Sequence, residues 1–465
     1  MKIIILGAGY VGMELASYLA GAGHAVTLVD LPSQKLEQIG SRVDLRVIQG
    51  NPSSPVVLRN AGAENTELLV AATSDDEANI TACCIGAFLF HIPRRIARIR
   101  SAEYLQEADS LFGPAGIPID HVISPEHITT DDIMGLIELP GASAAARFFD
   151  GMLTCACARV QQGGKLEGKP YSEFESFDAR TALLSVYRNG KLLENPRQEK
   201  VLIGDEVYYC CQAERALSQL SAIRPLKSAG STVAIAGGSH VADALAARLS
   251  ERFRVKLIEP DAARSSRIAD RLYGSEVEIY NADPTSLDFM QEEQLQRTDL
   301  YIAASPSDET NIMSSLLLHR LRNVNTLAVI RGDSYFRLAE SSDTEIDTVV
   351  SPNEATISAL LSNIRQEGVV SMRLFRQGRS EAIELLLEGS RFSSRIIGRR
   401  TDAAPLPRSA SLGLVLRGGR IISPHSEGFS FEEGDRVLVF LNDHKEMRQL
   451  IRNFRPRAFW IPRWQ

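Results

Sequence analysis

The sequence predicts an α/β fold in which a parallel doubly wound sheet is followed by a small α+β module, and the pair is duplicated in tandem. Three observations carry this expectation. A glycine-rich turn, "GAGYVG", lies between two short apolar runs near residue 1. The chain repeats itself with a period of about 230 residues. Each repeat begins with strand-and-helix alternation and ends with short strands separated by Gly-Asp and Asn-Gly turns.

Lys2 to Leu6 is an isoleucine-rich apolar run, as expected of a strand buried on both faces. Gly7, Gly9 and Gly12 then form GxGxxG. The first glycine permits a tight turn, the second lets a pyrophosphate approach the backbone, and the third lets the following helix pack close to the sheet. With Ala8, Tyr10 and Val11 they make the candidate phosphate cradle at the positive end of a helix. Ala25 to Val29 reads as a second strand. Asp30 closes it 18 positions after Gly12, the spacing of a carboxylate that binds a ribose hydroxyl. A negative group there favours NAD-type or adenosine ligands over a 2′-phosphate.

Ligands of doubly wound sheets sit outside the carboxyl ends of the strands. Asn51, Thr73, Ser74, Arg98 and Arg100 all follow strand patterns and join the candidate site. Arg98 and Arg100 alternate about Ile99, which predicts one shared strand face suited to phosphate. The alternative is a salt bridge to Asp75, Asp76 or Glu77. Those three acids read as a solvated helix start, with a cation site as the other reading.

The second repeat starts with the strand Val233–Ala236. Gly237, Gly238, Ser239, His240 and Val241 take the place of the glycine turn, and Glu259 that of Asp30. "QGNPSS" matches "NADPTS", aligning Asn51 with Asp283. "LLVAATSDDEAN" matches "LYIAASPSDETN", and "ARIRSAEY" matches "AVIRGDSY", aligning Arg100 with Arg331. Ser239 replaces the middle glycine and Val329 replaces Arg98. The second site is therefore expected to bind more weakly, to take a different nucleotide, or to take none. Downstream, "YRNGKLLENP" resembles "LRGGRIISPH", extending the repeat into the small modules. The expected units are residues 1–125, 140–224, 230–352 and 370–453, with an aromatic and basic tail at 454–465 that suits a membrane interface or a partner groove. A linker is expected at 224–230.

Composition narrows the classes. The chain has 465 residues, 44% hydrophobic and 23% charged, with net charge −7, which argues against nucleic acid as a partner. Its apolar runs are too short to span a bilayer, and its first strand begins at Lys2. The expected location is cytoplasmic, with any membrane role peripheral. The six cysteines lack CxxC spacing and read as small buried hydrophobes, with Cys155 and Cys157 on one strand face and Cys210 or Cys211 nearby. No histidine is marked as a general base, and neither GxSxG nor a P-loop is present.

The order of these motifs resembles the TrkA family of peripheral regulators of Trk-type bacterial potassium uptake. "GAGYVG", Asp30, "GNPSS", "AATSDDEAN", "ARIRSAEY" and the repeated "SPE"/"SPN" carry the resemblance. It implies paired regulator-of-potassium-conductance nucleotide domains and TrkA C-terminal domains. It also implies no catalytic activity and a homotetrameric ring on the cytoplasmic face of a potassium-translocating membrane subunit. The implied ligands are NAD(H), with ATP or ADP at the same sites. Gly7 to Gly12 would hold the phosphates, Asp30 the ribose, and Arg98 with Arg100 would discriminate ligand charge. Two rival readings keep the fold or the role: an NAD-dependent oxidoreductase, and a regulator of another transporter such as a potassium/proton antiporter. A third builds a metal-binding redox sensor on the cysteines.

Overall fold

The computed structural model describes residues 1–31, 45–177, 180–226, 230–322, 324–340, 345–364, 368–376 and 378–456. The expected tail beyond Pro456, and residues 227–229 of the expected linker, lie outside the described residues.

The first sheet contains β1 (Lys2–Leu6), β2 (Ala25–Asp30), β3 (Arg46–Gln49), β4 (Leu68–Ala71), β5 (Arg94–Arg98) and β6 (His121–Ile123). Its order is β3-β2-β1-β4-β5-β6, and every pairing is parallel. Ile3 to Leu6 are buried, as a central strand with helices on both faces requires. The strand order reverses at β1 and β4, so the glycine turn after β1 opens into the crevice at the switch point. The second sheet is antiparallel: β7 (Ala142–Phe148), β8 (Leu153–Arg159), β9 (Thr181–Arg188), β10 (Lys191–Leu192) and β11 (Glu206–Gln212), in the order β10-β9-β11-β8-β7.

The second half repeats both sheets. β12 (Thr232–Ala236), β13 (Arg254–Ile258), β14 (Val277–Tyr280), β15 (Leu300–Ala303), β16 (Asn325–Val329) and β17 (Thr348–Val350) are parallel, in the order β14-β13-β12-β15-β16-β17. The last sheet has β18 (Val369–Phe375), β19 (Ser380–Leu386), β20 (Ala410–Arg417), β21 (Arg420–Ile422) and β22 (Arg436–Leu441), in the order β18-β19-β22-β20-β21. The fold class read from the sequence is the observed one.

The halves do not follow one another as separate pairs. The helix Pro125–Ile137 leaves β6 and packs on His240–Leu249 of the second half, while Pro352–Asn363 packs on Tyr10–Gly21 of the first. Ile3, Leu15 and Leu19 therefore share a core with Leu360, Leu361, Leu450 and Phe454. Val233, Leu245 and Leu249 share theirs with Ile133, Leu136 and Leu220. The two antiparallel sheets meet through Phe149, Tyr208, Phe375 and Phe440. Each parallel sheet is thus covered by the small module of the other half.

One ion pair onto a buried aspartate recurs in both modules. Arg188 donates to both oxygens of Asp205 at 2.9 and 3.0 Å, and Arg417 to both oxygens of Asp435 at 2.7 Å. Both aspartates are buried, in the Gly-Asp turns that the sequence repeat predicts. All six cysteines are free. Cys155, Cys157 and Cys210 lie in one apolar cluster, with Cys210 paired opposite Cys155, while Cys211 faces the other core. Burial pushes the thiols of Cys157 and Cys210 up to about 12, so they behave as packing groups. Among the described residues, no group of three or more His, Cys, Asp or Glu is placed to hold a metal, and no helix is long and apolar enough to cross a membrane.

Candidate nucleotide site

The first glycine turn is held by close backbone contacts. Gly7 has φ +103°, and a Cβ there would lie 2.8 Å from the carbonyl oxygen of Ala72. A Cβ on Gly12 would lie 1.9 Å from the carbonyl oxygen of Gly7, so only glycine lets the helix begin there. Gly9 is different: nothing lies within 4 Å of the place a Cβ would take. It is the N-cap of the helix Tyr10–Gly21 and makes no side-chain cap, so the helix's first N–H groups have no side-chain acceptor there. An uncapped helix start in front of open space is what an anionic phosphate requires.

Asp30 stands at the end of β2 beside this turn. Its carboxylate accepts the N–H of Ala8 at 2.5 Å and that of Leu31 at 2.6 Å. The same carboxylate that would take a ribose hydroxyl therefore also fixes the turn. Thr73 lies across the crevice at the end of β4, where its N–H and hydroxyl both donate to Asn79 Oδ1, at 3.0 and 2.7 Å. Ser74 beside it is exposed. Asn51 turns its oxygen onto Ser53, accepting both N–H and hydroxyl, and Asp283 does the same with Thr285. These two side chains shape an Asx turn at the rim.

Arg98 ends β5, but Arg100 lies two residues beyond it. Arg98 is largely buried, and its Nε has no hydrogen-bond partner. Burial, then the nearby charge of Arg100, depresses its pKa. Arg100 instead pairs with Glu126 at 3.1 Å, on the helix that crosses to the second half. The predicted salt-bridge partners, Asp75 to Glu77, are otherwise engaged. Asp75 caps the helix Asp76–Phe88 by accepting the N–H of Ala78 at 2.7 Å.

Two residues were missed as site architecture. Asp76 is buried rather than solvated, and its Oδ2 accepts the N–H groups of Arg100 and Ser101, each at 2.8 Å. Asn79 ties Thr73, just after β4, to the carbonyl of Arg98 on β5, the latter at 2.9 Å. Asp308 and Asn311 do the same for Arg331, Gly332 and Ser305 in the second half. The signal was available: Asp and Asn recur at the same places in "SDDEAN" and "PSDETN".

The second turn differs at its centre. Ser239 caps its own helix, accepting the N–H of Ala242 at 3.2 Å, and donates its hydroxyl to Ala304 at 2.5 Å. Gly237 keeps the left-handed turn with φ +98°. Glu259 is buried, accepts the N–H of Gly238 at 2.5 Å, and is approached by Arg264 at 3.5 Å. In front lies a cavity of about 500 Å³ lined by Arg100, Glu126, His240, Val241, Arg264, Arg267, Arg271 and Arg331. Arg100, assigned to the first site by sequence, thus lines the second, brought there by the crossing helix that holds Glu126. Arg331 lines this cavity and also a smaller one of about 190 Å³ beside Tyr10 and Glu14.

Two switch-point crevices, each with a glycine turn, a helix start and a strand-end carboxylate, define a duplicated Rossmann-type nucleotide-binding protein. The TrkA-N domain matches residues 3–125 and 233–352, and the chain belongs to the TrkA family. It is 39% identical to the Trk system potassium uptake protein TrkA of Haemophilus influenzae, over 99% of this chain and 100% of that one. It is 34% identical to the protein of the same name from Vibrio alginolyticus, with the same coverage of each. Among solved structures, the GsuK channel matches with TM-score 0.59 at 18% identity, over 96% of this chain and 78% of that one. The GsuK channel bound to NAD gives 0.58 at 18% identity, over 97% and 79%. At that identity the likeness is one of fold.

Proposed function

We propose that this chain is a nucleotide-sensing regulatory subunit of a Trk-type potassium uptake system. It binds NAD(H), or ATP or ADP, in the first crevice and passes the bound state to a potassium-translocating membrane subunit. Its assembly is a homotetrameric ring, peripheral on the inner face of the cell membrane. The units are 1–125, 140–224, 230–352 and 370–453, linked across the halves by the helices that follow β6 and β17. The observation that supports this reading best is the uncapped helix start at Gly9, facing open space beside Asp30. The names of the relatives, potassium uptake proteins, support the partner.

A nucleotide biases a two-state assembly only by its preference for one state. A tenfold preference per site is about 1.4 kcal/mol, and four equivalent sites give about 5.5 kcal/mol, enough to invert a population. The crossed packing supplies a route. The helix that starts at Gly9 buries Leu15 and Leu19 against the second half's small module, so a shift at its N-terminus is felt there.

Calorimetric titration with NADH, NAD, ATP and ADP tests the reading. At least one binds tightly to the wild-type protein, and Gly9→Asp abolishes it by placing a carboxylate where the phosphates sit. No binding by any of the four rejects the proposal. NADH oxidation well above background across a substrate panel would favour an oxidoreductase instead.

A further inference from the structure

The chain is acidic overall, yet its last module has the opposite sign. Residues 368–456 hold fifteen Arg and Lys against ten Asp and Glu. Part of that excess lies on and beside the last helix. The helix Met447–Phe454 buries Met447, Leu450, Ile451 and Phe454, which leaves Arg448 and Arg452 one turn apart on its exposed side. The segment 389–398 folds against the end of this helix. Arg395 donates to Asn453 at 3.2 Å, and a Cβ on Gly389 would lie 3.3 Å from Pro456. Arg391 runs along Gly398, and between these arginines Phe392 stands 93% exposed. Arg455 adds a further exposed cation beside Pro456. Of the acids in this region, Asp402 pairs with Arg400 and Glu446 accepts from Ser409, while Glu388 precedes the segment.

A bare aromatic ring among arginines suits the boundary between water and lipid, where the ring is buried and the cations meet phosphates. The chain leaves this face at Pro456, and the residues that follow in sequence carry Arg457, Phe459, Trp460, Arg463 and Trp464 and no acid. We propose that this face, built on Arg391, Phe392, Arg448 and Arg452, binds the surface of an anionic lipid bilayer. An acidic protein surface would satisfy the arginines but offers no reason for the ring. Arg448 also donates to the carbonyl of Ala20 at 2.9 Å, in the last turn of the helix that starts at Gly9. The lipid-binding face therefore abuts the first nucleotide helix. It is independent of the nucleotide reading, and its failure would leave that reading untouched.

Sedimentation of the full-length protein with vesicles tests this. Binding is expected to mixed phosphatidylglycerol and phosphatidylcholine vesicles, not to phosphatidylcholine alone, and is lost in molar salt, where the screening length is about 3 Å. The double variant R391Q/R452Q binds about thirtyfold more weakly, about fivefold per arginine. F392S, which leaves the charge unchanged, also weakens binding. R252Q/R254Q, the same charge change on exposed arginines at the start of β13, leaves it intact. Circular dichroism melts should be unchanged for all of these surface variants. The proposal is overturned if anionic vesicles do not sediment the protein, or if both double variants lose binding equally. It is also overturned if the face proves necessary only for association with a membrane protein and not for vesicles.

Discussion

The backbone N–H of Ala8 lies 2.5 Å from the carboxylate of Asp30, which ties the glycine turn to the end of the neighbouring strand. In the second half Gly238 and Glu259 repeat the contact at 2.5 Å. The carboxylate is thus shared between the turn and any ribose it receives.

Asp30→Asn keeps the shape and removes the charge. Hydrogen bonds to charged groups contribute about 2 kcal/mol, so nucleotide affinity should fall about thirtyfold. Titration calorimetry measures it; unchanged affinity would place the ribose elsewhere.

Ser239→Gly should open the second crevice. It frees the helix start that Ser239 now caps and releases the carbonyl of Ala304. Replacing a serine cap by glycine costs only a few tenths of a kcal/mol, about 1 °C in melting temperature. The expected result is tighter nucleotide binding at the second site, seen as a higher stoichiometry at fixed ligand. An unchanged isotherm would show that Arg264 and Glu259, not the cap, close the site.

The contact between Tyr18 and Glu381 predicts a pH dependence. Tyr18, on the helix that starts at Gly9, donates to Glu381 of β19 at 3.0 Å, and the other oxygen of Glu381 is buried without a partner. Burial pushes the Glu381 carboxyl up to about 8. Because the folded state holds this proton more tightly than the unfolded chain, the stability it confers is complete below the ordinary Glu range. It is lost as pH rises towards and through about 8. Thermal melts between pH 6 and 9 should show that decline, and Glu381→Gln should flatten it. An equal slope in the variant would assign the decline to other groups.

Asp435→Asn removes the buried charge of a bidentate pair and leaves Arg417 with Glu432 and the carbonyl of Ser430. The expected loss is about 2 kcal/mol in urea unfolding, the size of hydrogen bonds to a charged group. Asp205→Asn in the first module should behave alike, since Arg188 and Tyr171 both donate to that carboxylate. A loss below about 1 kcal/mol at either site would show that solvent replaces the pair.

Much of the fold was legible because it depends on local period and turn chemistry. The isoleucine run of β1, the glycine turn and the spacing to Asp30 specify a strand, a helix start and a strand end through contacts within 30 residues. The recurring Gly-Asp turns similarly mark the hairpins that place Asp205 and Asp435. Asp76 reads as solvated in the sequence but is buried, because its partners are backbone N–H groups of Arg100 and Ser101 in the loop after β5, which no side-chain pattern marks.

The sequence alone determined that there are two parallel sheets with glycine turns, two antiparallel modules, and a carboxylate at each site. Tertiary structure decided which half covers which. The helices Pro125–Ile137 and Pro352–Asn363 carry apolar faces that either half could bury, and amphipathic periodicity does not name the partner surface. Only packing shows that Arg100 reaches the second cavity and that Arg448 and Tyr18 join the first nucleotide helix to the last module. Those contacts span more than 100 residues of chain, so shape complementarity between cores, not local sequence, selects them.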